Sequence, residues 1–74
     1  MVVTGKVSRR LFAAGSKSEH MAVVLRSEHG DYVLRRPGGN PFSDPILEQL
    51  IGKDIEADGE VQGYNLMLKD WQEV

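Results

Sequence analysis

Residues 54–61, Asp-Ile-Glu-Ala-Asp-Gly-Glu-Val, alternate an acid with an apolar residue or glycine at every step. A strand points successive side chains to opposite faces, so Ile55, Ala57, Gly59 and Val61 share one face and Asp54, Glu56, Asp58 and Glu60 the other. Wound as a helix, the same residues would scatter acids all round the axis. The segment is therefore a half-buried strand, and the rest of the chain must supply a core for its apolar face. Its acids form one row on one face, which makes them a solvated surface rather than the facing carboxylates of a hydrolytic site.

The flanking segments supply that core mostly with further strands. Residues 2–12 are rich in β-branched residues around Gly5, with Val3, Val7 and Leu11 as inward positions. Glycine inside such a strand predicts a bend or a close backbone approach. Residues 13–19 are small and polar and read as a loop. Met21–Arg26 and Tyr32–Arg36 form a hairpin around Glu28-His29-Gly30-Asp31, with Gly30 suited to a positive φ. Its register stays open by one residue, and a slip of one would exchange its two faces. Pro37, Gly38, Gly39 and Pro41 end the third strand near Arg36.

Asp44-Pro45 then reads as a helix start, the carboxylate capping free N–H groups and proline taking the first helical position. Ile46, Leu47, Leu50 and Ile51 recur at helical spacing, and Gly52 stops a helix of about two turns. Beyond residues 54–61, Gln62-Gly63 makes a turn, and Tyr64, Leu66 and Leu68 open a last alternating strand. Trp71 covers one rim of the core. The predicted core is Val7, Leu11, Val23, Leu25, Leu34, Leu47, Leu50, Ile55, Val61, Leu66 and Leu68.

Seventy-four residues make one domain, 1–74, near the small end of chains that fold unaided. Without cysteine, disulfides, thiolate zinc sites and thiol catalysis are all excluded. The apolar run Met21–Leu25 is far short of the roughly 20 residues that span a bilayer, and the first residues carry no signal-peptide pattern. The expectation is a soluble, cytoplasmic protein with no membrane partner. Charge is uneven: up to Asn40 seven basic residues stand against three acidic ones, and from Pro41 onward two against eight. Such asymmetry points to a basic interaction surface, or to surface charge that simply fell unevenly.

The element order, three strands, a short helix and two strands, resembles the OB fold, a five-stranded Greek-key barrel with its helix between strands 3 and 4. The stretch LEQLIGKDIEADGEVQGYNLMLKDW is especially similar to the helix-to-last-strand half of such domains, and the likeness runs from about Gly5 to Trp71. The GSKSEH and LRRPGGNPF elements also resemble a small bacterial family, a likeness that brings no function with it. The expected fold class is thus all-β, with one short α-helix. An SH3-like barrel is the main competitor, and the helix argues against it.

Few motifs carry chemistry. Gly15-Ser16-Lys17-Ser18 lacks the second glycine and the following helix of a nucleotide-binding P-loop. The Pro37–Pro41 stretch is a turn rather than an anion cradle, because Asp44 already occupies the nearby helix start. His20 and His29 do not reach the three convergent ligands of a metal centre, and no serine sits in a nucleophile elbow. No cofactor and no catalytic residue are expected.

The OB resemblance implies a ligand surface on strands 2 and 3 and their loops. The candidate binding residues are Arg26, Tyr32, Arg35 and Arg36, with Lys17 and Arg10 beside them. Arginines along a groove with aromatic platforms suit single-stranded DNA or RNA. The aromatics near this surface are sparse: Tyr32 on the strand, Phe12 beside the first loop and Tyr64 at the last turn. Two partner readings stay open: single-stranded nucleic acid, or another protein that uses the small domain as an accessory module.

Overall fold

The structure, a computed structural model, describes residues 1–12, 15, 20–39 and 44–74, and of Phe12 and His20 the backbone alone. Lys17, Pro41 and nearly all of the loop expected at 13–19 fall outside the described residues. The elements run β1 (Val2–Phe12), β2 (His20–Ser27), β3 (Gly30–Arg35), α1 (Pro45–Glu48), β4 (Asp54–Gln62) and β5 (Asn65–Glu73). The domain is all-β, with five strands and one short helix. Its sheet closes on itself in the order β1-β2-β3-β5-β4, and among the described residues only the β3–β5 pair is parallel.

Strand β1 is the hub of this ring. Gly5 pairs with Ser27 of β2 and with Ile55 of β4 at once. A Cβ at Gly5 would lie closer than 3.0 Å to the Arg26 carbonyl, so glycine is required where the two backbones meet. The β2–β3 hairpin closes on Glu28-His29, with Ser27 opposite Gly30 and Gly30 at φ 118°. The Ser27 hydroxyl donates to the Gly30 carbonyl at 2.7 Å and accepts the His29 N–H at 3.2 Å, which locks the turn. The register left open by the sequence is thereby settled: Leu25 faces Tyr32, and Arg26 faces Asp31.

Val3, Val7, Leu25, Leu34, Ile55, Ala57, Leu66 and Leu68 fill the interior, with Leu47 and Leu50 of the helix region added to them. Val23, Val61 and Trp71 pack on this core half-buried, Trp71 opposite Ala57 at the rim. Leu11 departs from expectation, being 50% exposed. Two residues earlier on the same face, Arg9 already ion-pairs with Glu48 of α1, so by Leu11 the strand has passed the helix that bounds the core.

The helix is shorter than two regular turns. Glu48 and Gln49 donate to carbonyls four residues back, then Leu50, Ile51 and Lys53 donate to carbonyls three back. The tighter winding stacks Leu47 under Leu50, three apart, and turns Ile46 outward. Gly52 ends it at φ 88°, and its N–H donates to Val7, stitching the exit to β1. A bulge at Asp58/Gly59 then re-registers β4 against β5. Tyr64 was expected to open the last strand. Instead, Gln62 pairs with Asn65 and leaves Gly63-Tyr64 at the turn, with Tyr64 71% exposed.

Candidate binding face

Alternation along β2 and β3 sends one set of residues into the core and its complement outward. Val23, Leu25, Tyr32 and Leu34 go inward; Ala22, Val24, Arg26, Asp31, Val33 and Arg35 go outward. The outer set holds an unexpected second apolar cluster, Ala22, Val24 and Val33, all buried. Val24 and Val33 are cross-strand partners, so the cluster is a strip running across the β2–β3 pair.

Charged and aromatic side chains close over this strip. Arg10 lies opposite Ala22, and Asp31 lies opposite Arg26 on the other side. Their ion pair therefore crosses the strip at Val24. At the far side Val33 donates its N–H to the Tyr64 carbonyl at 2.8 Å, which brings the β4–β5 turn against β3. Arg10, Leu11, Val24, Asp31, Val33 and Tyr64 line a hollow of about 260 Å³. Arg35 stands next along the outer face, where its Nε donates to Asn65 at 3.0 Å.

The six residues singled out from the sequence thus divide. Arg10, Arg26 and Arg35 share the outer face with the strip. Tyr32 faces the core from the other side of the sheet, packed and half-buried. Lys17 lies outside the described residues. Arg36 is engaged elsewhere: its Nε donates to Asp44 Oδ2 at 2.8 Å and its Nη2 to Oδ1 at 3.0 Å. That buried carboxylate also accepts the Ile46 N–H at 3.1 Å, so one side chain caps the helix and anchors the end of β3.

The Arg36 fork holds the Asp44 carboxyl below its ordinary value, helped by the Ile46 N–H and opposed by burial. Asp44 in turn holds Arg36 more firmly protonated. A carboxyl with a lowered folded pKa contributes stability above its unfolded pKa, near 3.8, and loses it as pH falls through the folded value. Asp44→Asn should therefore lower stability at neutral pH and flatten its decline below about pH 4, a trend that urea titrations from pH 7 to pH 2 would follow. Asp44→Ala removes the cap as well and should cost about 1–2 kcal/mol more. Equal acid sensitivity in Asp44→Asn and the parent would refute this assignment.

Sequence reasoning found the arginines but missed the strip, because Ala22, Val24 and Val33 look like ordinary strand residues until the register is known. It also passed over Lys6 and Ser8, which share this outer face on β1. Among the described residues no group of three or more His, Cys, Asp or Glu side chains converges as for a metal, and no helix is long and apolar enough to cross a membrane. The chain matches no family model, no curated protein and no solved structure.

Proposed function

We propose that this domain is a non-enzymatic binding module of OB-like, Greek-key architecture whose outer β1–β2–β3 face receives single-stranded DNA or RNA. The observation that carries the reading is one juxtaposition: an apolar strip rimmed by Arg10, Arg26 and Arg35 with an exposed Tyr64 at its edge. Single-strand binders need a π-surface for bases and cations for the backbone, and this face offers both. The strand order, with the helix between β3 and β4 and β1 shared by two neighbours, supports the OB-like assignment. The bacterial likeness of GSKSEH and LRRPGGNPF stays an inference from those residues alone.

Fluorescence anisotropy with labelled dT and rU oligomers at low salt tests the reading. Two to three phosphate contacts predict a log–log salt slope of about −1.4 to −2. Tyr64→Ala should weaken binding by about 1–3 kcal/mol at every salt concentration, whereas Arg26→Ala should flatten the slope. Tyr32→Ala should act on stability instead, because that ring packs on the core.

A second reading, docking of another protein, is favoured by the acidic outer row of β4, which opposes a polyanion. No oligomer binding at high micromolar protein would transfer the assignment to that reading.

A further inference from the structure

On the outer face of β1 and β2, close to the point where Gly5 meets both its partners, Lys6 stands directly opposite Arg26. Like charges facing each other across a strand pair repel. An acid lies at each end of the row, Asp54 opposite Lys6 on β4 and Asp31 opposite Arg26 on β3. Among the described residues neither acid is in ion-pair contact with these two cations. Asp31 is bound to Arg10, and among the described residues neither Lys6 nor Arg26 forms an ion pair.

The two cations overlook a groove of about 520 Å³ lined by Lys6, Ser8, Arg26, Ser27, Glu28 and Asp31. The Ser8 hydroxyl oxygen, shut off from water, has no hydrogen-bond partner among the described residues. Buried hydroxyls are nearly always satisfied, so this orphan marks a missing acceptor or donor.

We propose that Lys6, Arg26 and Ser8 form a phosphate-class oxyanion site. An oxyanion between the cations would turn their repulsion into two attractions. The arginine fork would take two oxygens and the ammonium a third, and the Ser8 hydroxyl would join them on turning about χ1 from its sealed position into the groove. Glu28 is the one carboxylate in the groove that no ion pair among the described residues neutralises, so it weakens the site. This assignment stands independently of nucleic-acid binding, since a free phosphate ester and a backbone phosphate present the same chemistry.

The test is an amide ¹H–¹⁵N titration of the full chain with pyrophosphate, ionic strength held constant with sodium chloride. Saturable shifts should be confined to residues 5–8 and 26–28. Lys6→Ala and Arg26→Ala, both at exposed positions, should keep the dispersed spectrum and each weaken binding by about fivefold or more. Glu28→Gln should tighten it by about two- to threefold, an electrostatic gain at a surface site. Lys69→Ala, at an exposed position on β5 outside the groove, should change nothing.

Shifts that never saturate, or that Lys6→Ala and Arg26→Ala leave intact, overturn the site. A dT oligomer then distinguishes the source. Displacement of pyrophosphate by the oligomer, with the oligomer weakened by Lys6→Ala, supports the site with a backbone phosphate as its ligand. Pyrophosphate binding with no oligomer binding supports it with a small phosphate compound, and the nucleic-acid reading fails alone. Oligomer binding without any saturable pyrophosphate shift overturns the site and leaves that reading standing.

Discussion

Gly5→Ala should be among the most destabilising single substitutions in the chain, costing about 3 kcal/mol or more. The added methyl group would lie closer than 3.0 Å to the Arg26 carbonyl, a backbone atom that cannot swing aside. Relief requires β1 to part from β2 at the residue where it also pairs with β4. Overpacking against side chains costs roughly 1–3 kcal/mol, and a backbone clash at a shared pairing point belongs at or above the top of that range. At roughly 0.05–0.15 kcal/mol per residue, a chain of this length has only about 4–11 kcal/mol in total. Circular dichroism with urea titration measures the effect. Gly30→Ala is the control: its φ of 118° strains alanine, but nothing lies within 4 Å of the new methyl group. It should cost only about 1–3 kcal/mol and leave a folded protein. A Gly5→Ala variant as stable as Gly30→Ala would refute the close approach.

Leu66→Ala should be the most damaging single core truncation. Leu66 is 0% exposed and lies on β5 between Leu34 of β3 and Val61 of β4. It thus packs at the seam where the sheet closes. Leu→Ala in a filled core costs about 2–5 kcal/mol, a large fraction of the about 4–11 kcal/mol available. The urea midpoint should fall steeply, with m unchanged if the folded state keeps its shape. Leu11→Ala, at a half-exposed position beyond the helix, should cost less than about 1 kcal/mol. Equal losses at the two positions would contradict the core boundary drawn here.

These contrasts also mark where the sequence stopped being informative. The five strands and the helix start were legible because each rests on local chemistry: period-two alternation in residues 54–61, a glycine turn after Ser27, Asp44 before Pro45. Gly5 announced its close approach for the same reason. Leu11 obeyed the right period, yet its burial depends on where α1 ends the core, which no local pattern encodes. Tyr64 was misplaced by one turn residue.

The candidate face was less legible still. Whether Tyr32 or Val33 looks outward depends on one residue of hairpin register, and only the pairing of Leu25 with Tyr32 decides it. The role of Arg36 depended on a carboxylate eight residues away across a turn. Lys6 and Arg26 are twenty residues apart in the chain, so their opposition emerges only from strand pairing.

The double engagement of β1 also dictates an order of assembly. The β2–β3 and β4–β5 hairpins join neighbours in the chain and can form early and locally. Residues 2–6 must instead find residues 54–58, and the parallel seam joins β3 to β5 across the helix. Such non-local pairings must bear the entropy of closing long loops before any contact repays it, so they set the pace of folding. The first of the five strands in chain order is thus among the last to find all its neighbours. Until β4 arrives, one side of β1 between Val2 and Lys6 is an unsatisfied edge, open to pairing with other chains. Lys6, the one charged residue of that stretch, is of the kind that discourages such edge-to-edge pairing.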